Sequence, residues 1–448
     1  MTPTLSELRH CFEGAVPSVV ATCAPDGTPN VAYLSQVHFV DAAHAALTFQ
    51  FFNTTRKNIL VNPRAVVQVI DPVSAAHYRL RLEYLRTETE GPLFESMKAK
   101  LAGIASHTGM SKVFRLLGSD VYRVLDIECV FGESSNQDAL RQPLLPGLRA
   151  CLTGLVGCAD LATLFDTALQ GLEHHCEIHH AMLLMHDAAR GRLYTVATRG
   201  YPESGVGSEI RVGAGVIGVA ARERTPIRIG YTAQEYLYSR VVREGFEKSA
   251  AGDALETEIP FPGLVESGSQ LAVPVVHGER LHGVLYVESP QQRRFTYEDE
   301  DALVVLAGQL ALSIELLAHT AEQHDDTATC CPPPQAAHGA PVTIRHFAAD
   351  HSVFIDNDYL IKGVAGAIFW KLVRDYVEAG RSEFTNRELR LDPSLKLPDI
   401  SDNLEARLIL LQRRLAERCA FLAIEKTGRG RFRLNVGRPL QLADVPTR

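Results

Sequence analysis

The stretch from Leu271 to Leu317, LAVPVVHGERLHGVLYVESPQQRRFTYEDEDALVVLAGQLALSIELL, changes its hydrophobic period midway. In the first half apolar Leu271, Val273 and Val275 alternate with their neighbours. A polar turn at His277 to Arg280 follows, then Val284 and Tyr286, and period two on both sides of a turn predicts a hairpin. In the second half Thr296 stands where an N-cap belongs. Glu298, Asp299, Glu300 and Asp301 fill the first turn, where the helix dipole favours anions, and Leu303, Leu306, Leu310 and Ile314 recur at helical spacing. A strand pair feeding a long amphipathic helix commits this region to a mixed α/β layer.

With 448 residues, of which 46% are hydrophobic and 22% charged, the chain has material for several ordinary cores. Neither the Met1 to Arg9 start nor any later stretch is an uninterrupted apolar run of membrane length, so a soluble protein with no membrane partner is expected. Nine scattered cysteines fit a reducing cytoplasm better than a disulfide framework. The net charge of −8 is uneven: residues 340–448 hold 18 Lys and Arg against 14 Asp and Glu, so the rest of the chain carries all the excess negative charge. Only the last segment can meet a polyanion without long-range repulsion.

The N-terminal third predicts short strands at Ser18 to Thr22, Val31 to Val40, Leu47 to Phe52 and Ala65 to Ile70, with a turn at Pro25 to Gly27 and a short helix closed by Pro63. Before that helix lies Asn53-Thr54-Thr55-Arg56-Lys57-Asn58. Helix-start N–H groups, two hydroxyls and two cations make a seat for a phosphomonoester, and equally a capped helix with two solvated cations. No catalytic acid or base stands out.

Three family resemblances cover most of the chain. "LAVPVVHGERLHGVLYVES" with "RRFTYEDEDALVVLAGQLALSIE", and upstream "VGAGVIGVAARERTPIRI", resemble a GAF domain over about residues 148–318. That implies small-molecule sensing by an α/β sandwich, with a ligand left unspecified. "PSVVATCAPDGTPNVAYLSQVHFVD" and "LTFQFFNTTRKNILVNPRAVVQVIDP", within residues 1–133, resemble the pyridoxamine-phosphate-oxidase-like split β-barrel, whose members bind FMN and in some cases haem or a deazaflavin. The resemblance implies that Thr55, Arg56 and Lys57 grip the flavin phosphate, that Thr54 and Asn58 stand beside them, and that Gln50 and Ser35 approach the ring.

After a proline-containing segment at 319–341, residues 342–438 predict strands, three helices and a hairpin with a cationic tip. "DNLEARLILLQRRLAER" and "IEKTGRGRFRL" resemble the recognition helix and wing of a response-regulator-type winged-helix DNA-binding domain. By position Asn403, Ala406, Arg407, Leu410 and Arg414 would face the major groove of duplex DNA, and Lys426, Arg429 and Arg431 would touch phosphates or the minor groove. Apolar Ile409 and Leu410 stand where family members often carry cations, which suits a protein interface instead.

Smaller features complete the reading. His174, His175, Cys176, His179 and His180 offer metal-ligand chemistry, but on a helix-to-strand passage their side chains point apart, so no metal is expected. Tyr231 to Ser267 is long enough for a lid. Vicinal Cys330 and Cys331 are read as plain thiols. The helix Leu148 to Leu172, broken near Gly157, is expected to pair with the one ending at Leu317 and with the same helices of a second chain. Together these features predict a multidomain α+β homodimer acting as a one-component transcriptional regulator, with an FMN-dependent oxidoreductase as the alternative.

Overall fold

The computed structural model describes residues 3–12, 17–50, 54–72, 74–107, 116–132, 144–230, 259–323, 339–395, 404–428 and 430–445. Cys330 and Cys331, and most of the stretch expected to form a lid, fall outside them.

The N-terminal module is one seven-stranded antiparallel sheet, ordered β2-β1-β5-β6-β7-β4-β3. Its strands are β1 (Ser18–Cys23), β2 (Pro29–Leu34), β3 (Val37–Phe39), β4 (His44–Phe49), β5 (Arg64–Ile70), β6 (His77–Glu88) and β7 (Gly118–Phe131), with helices α1 (Thr54–Val61) and α2 (Pro92–His107). The sheet curls around Val20, Leu47, Val67, Val69, Leu80 and Tyr122. The single strand expected over Val31 to Val40 is two strands. β2 pairs with β1 and β3 with β4, at opposite ends of the sheet, so the chain must turn at Ser35 and Gln36. Val31 and Tyr33 lie on the outer strand at 66% and 84% exposure.

The middle module has helices α3 (Leu144–Val156) and α4 (Leu161–Cys176), separated where the sequence breaks at Gly157. Asp160 caps α4 by accepting from the Thr163 N–H. Strands β8 (His180–Asp187), β9 (Arg192–Arg199), β10 (Glu209–Arg211), β11 (Ile227–Ile229), β12 (Ser269–His277) and β13 (Arg280–Ser289) form a sheet ordered β10-β9-β8-β13-β12-β11. α5 (Gly215–Glu223) lies beside it, and α6 (Tyr297–Gln323) is the predicted long helix. Leu271, Val273 and Val275 face α3, α4 and α6, whereas Val284 and Tyr286 face α5. The hairpin is therefore buried on both faces. Asp299 secures the start of α6, taking the Thr296 N–H at 2.8 Å and Arg294 at 3.0 Å, and Leu303, Leu306, Leu310 and Ile314 are all buried. By length and composition alone, Tyr297–Ala318 is also apolar enough to cross a membrane.

The C-terminal module holds strands β14 (Val342–Phe347), β15 (Ser352–Ile355) and β16 (Asp358–Ile361), helix α7 (Gly363–Ala379), strand β17 (Glu383–Thr385), helices α8 (Asn386–Leu391) and α9 (Leu404–Arg418), and strands β18 (Leu422–Gly428), β19 (Arg431–Val436) and β20 (Leu440–Val445). β20 pairs in parallel with β14, extending the module past residue 438. Lys371 on α7 ties Asp375 and Asp392 at 2.9 Å each. That hydrogen bond and one from Ser394 hold the Asp392 carboxyl down at about 2, against an ordinary 3.8. A depressed carboxylate contributes stability above its unfolded value and loses it as the pH falls through the folded one. The stability of this module is therefore expected to drop between about pH 4 and pH 2, and Asp392→Asn to flatten that drop in acid titrations followed by circular dichroism.

Candidate functional site

The corner at the start of α1 is built mostly for internal bonding. Arg56 turns inward, 2.5 Å from Asp120 on β7 and 2.8 Å from the Thr87 hydroxyl, with its guanidinium over the Phe49 ring at 4.7 Å. Burial pushes the Asp120 carboxyl up, outweighing the opposite pull of Thr87 and Arg56. The Thr55 hydroxyl accepts from Asn30 at 2.9 Å, and the buried Asn58 amide donates to Thr22 at 3.1 Å. Thr54 and Lys57 are exposed. Ser35 is half-buried at the β2–β3 turn, and the Gln50 amide nitrogen is buried without a partner among the described residues. Of the expected phosphate grip, this arrangement leaves Thr54, Lys57 and the helix start. A phosphate reaching Arg56 would share its guanidinium with Asp120, so the cradle that the resemblance implies would be contested by a buried carboxylate.

The middle module has a second candidate. On the α5 side of its sheet, Met182, Leu184, Leu193, Ile217 and Val284 form an apolar cluster. At one end of it the Glu288 carboxylate, 1% exposed, accepts from the Leu264 N–H at 2.9 Å and the Tyr286 hydroxyl at 3.2 Å. Burial and Glu288 together push the nearby Tyr201 phenol up, keeping it a neutral donor. His180 meets the Tyr201 ring edge-on at 5.6 Å and Phe261 meets Tyr286 at 6.3 Å. Glu288 is thus a buried carboxylate held by protein donors at the edge of an apolar cluster.

Of the cations expected to meet DNA, Arg407, Arg414 and Lys426 are placed against protein. Ala406, Arg407, Leu410 and Arg414 on α9 are all buried. Arg407 pairs with Asp187 at 3.0 Å, with side chains 4% and 6% exposed, and lies over the Tyr194 ring at 4.9 Å. Arg413, which was not among the residues expected at DNA, bonds Asp166 and the Val196 carbonyl, both at 2.8 Å. Arg414 bonds the Leu360 carbonyl at 3.2 Å and Glu417 at 3.1 Å. Lys426 lies 3.4 Å from both Asp160 and Glu405, and Arg431 opens β19 half-buried. Asn403 and Arg429 lie outside the described residues. In this conformation the expected groove-reading face of α9 is therefore closed.

A GAF domain family model matches residues 158–315. That segment is a GAF domain. Among solved structures, the chain is similar to the GAF domain of a phosphoenolpyruvate-protein phosphotransferase from Acinetobacter, at 21% identity over 43% of this chain and 100% of that one, TM-score 0.31. It is similar to free methionine-R-sulfoxide reductase from Neisseria meningitidis in complex with its substrate, at 20% identity over 42% of this chain and 96% of that one, TM-score 0.31. It is also similar to an FMN-binding protein from Syntrophomonas wolfei, at 16% identity over 29% of this chain and 89% of that one, TM-score 0.24. No curated protein matches the chain.

The GAF domain carries candidate site residues that pattern reading passed over. Glu288 ends the otherwise apolar run VLYVE, and a lone acid closing a strand buried on both faces was the available signal. Asp166 and Asp187 gave no signal, because their roles depend on where α9 packs. His174, His175 and His179 of the histidine cluster are exposed, while Cys176 turns into the core, its sulfur 3.9 Å from that of Cys151. The N-terminal module is tied to the start of α6, where its Arg9 and Lys100 lie 4.7 Å and 4.5 Å from the Tyr297 ring, beside Arg228 of β11 at 4.2 Å. Arg9 also pairs with Asp301 at 2.8 Å. The acidic run after Thr296 hinted at cationic partners without naming them.

Proposed function

We propose that this chain is a one-component transcriptional regulator. In it the GAF domain takes up a small apolar molecule bearing a donor or cationic group, and the C-terminal module, read as a winged helix, binds duplex DNA. The observation that carries this reading is the position of the GAF sheet. One face holds the buried Glu288 carboxylate at the end of an apolar cluster, and the elements behind it hold Arg407 of α9 and Lys426 of the β18–β19 hairpin. Leu145 and Val156 on α3, with Val305, Leu312 and Leu316 on α6, are exposed apolar side chains suited to a homodimer interface.

Flavin is the less supported input, since Arg56 is already paired with Asp120. The same pairing weighs against an FMN-dependent oxidoreductase. The test is titration of the whole chain with fluorescent duplex DNA across ionic strengths. Binding is expected to weaken linearly on a log–log salt plot, and Lys426→Ala and Arg431→Ala are each expected to reduce the slope by about one. If neither the natural chain nor Asp166→Arg has affinity for the duplex at low salt, the DNA-binding reading is wrong.

A further inference from the structure

We propose that the GAF face formed by Asp166, Asp187 and Tyr194 is a docking site for this chain's own helix α9, holding the side chains that would otherwise meet DNA, so that GAF-docked and DNA-bound arrangements exclude one another. This rests on the DNA-binding reading above and adds how that binding is controlled.

The occupant is identified by what already sits there. α9 is buried nearly all round over its first two turns, as a surface helix presenting one free face to a ligand is not. Leu404, Leu411 and Leu415 belong to the core of the C-terminal module, while Leu410 and Arg414 lie beside Gly207 of the GAF domain, where an added Cβ would come within 3.5 Å of Leu410 and 3.7 Å of Arg414. One contiguous apolar cluster runs from Leu148 and Ile314 through Leu410 to Val436, so the two modules share a core at this contact. The polar matches are complementary in sign. Carboxylates of Asp187, Asp166 and Asp160 stand opposite Arg407, Arg413 and Lys426, much as phosphates would. The turn between β8 and β9 adds Arg190, whose guanidinium lies so close to Gly363, at the start of α7, that a Cβ there would be 1.8 Å from Nη1.

The docking site also reaches the ligand side of the sheet. On β9, Leu193 lies in the apolar cluster beside α5, while Tyr194 and Val196 lie in the cluster shared with α9. A molecule that shifts β9 on one face changes the surface offered to α9 on the other. It moves the docking equilibrium only as far as its affinities for the two arrangements differ.

The experiment uses the full chain. Asp187→Asn keeps an acceptor for the Arg190 N–H while removing the charge opposite Arg407, and Asp166→Arg reverses an exposed charge opposite Arg413. The double variant is expected to bind a duplex at least about tenfold more tightly than the natural chain, a shift of about 1.4 kcal/mol. Amide exchange in Leu404–Arg418 should rise with it, and Arg431→Ala should weaken both chains. Equal affinity for DNA in the natural chain and the double variant, or unchanged exchange in α9, overturns the docking proposal and leaves DNA binding standing. Absence of duplex binding by both chains overturns DNA binding, and this proposal with it.

Discussion

Replacing Asp187 by alanine is expected to cost about 3–5 kcal/mol at the contact between α9 and the GAF domain, because it strands a guanidinium where water does not reach. Arg407 and Asp187 are 3.0 Å apart with side chains only 4% and 6% exposed, so neither charge can recover its hydration while docked. If the modules separate first, Arg407 returns to solvent and the loss appears as release of α9 rather than as global unfolding. A double-mutant cycle separates the pair from its surroundings. Arg407→Ala and Asp187→Ala together should cost less than the sum of the single changes, since each removes the charge that the other strands. Trp370, the single tryptophan of the chain, stacks on His346 at 4.7 Å within the C-terminal module and provides the signal for denaturant titrations. Strict additivity would mean that this ion pair is not a working contact.

Arg56→Ala is the second large effect, expected to destabilise the N-terminal module by about 3 kcal/mol, because it leaves Asp120 buried at 7% side-chain exposure without its cation. It also removes the guanidinium from the Phe49 ring at 4.7 Å and the Tyr84 ring at 5.6 Å. Asp120→Asn is expected to be far milder. Burial already outweighs pairing at this carboxyl, so a neutral side chain of the same shape gives up little. It would also remove the negative charge that competes with a phosphate for Arg56, so FMN titrations followed by fluorescence quenching should show tighter binding in Asp120→Asn than in the natural chain. Tight FMN binding by the natural chain, abolished by Arg56→Ala without loss of stability, would mean that the guanidinium serves phosphate after all.

What was legible in the sequence was local. Leu303, Leu306, Leu310 and Ile314 announce the buried stripe of α6 because helical period is written in neighbouring residues. The break near Gly157 and the cationic hairpin at Lys426 are legible for the same reason. Arg56 could be found as a cation beside a helix start, but its partner lies 64 residues away on β7, and no spacing rule joins them. The division of Val31 to Val40 into β2 and β3 likewise depends on which strands each half pairs with. Ala406, Arg407, Leu410 and Arg414 have the residue types of a groove-reading face, and types alone do not distinguish nucleic acid from an acidic protein surface. Leu410, an apolar residue among these cations, packs beside Gly207 of the GAF domain, and its type was the one local sign of a protein contact.

The most direct test of the account is hydrogen exchange in the GAF domain of the full chain, with and without duplex DNA, read on β9 and on residues 204–208 that flank α9. Increased exchange there on adding DNA is expected, because α9 must leave that surface to meet the duplex. DNA binding with exchange at those residues unchanged would contradict it.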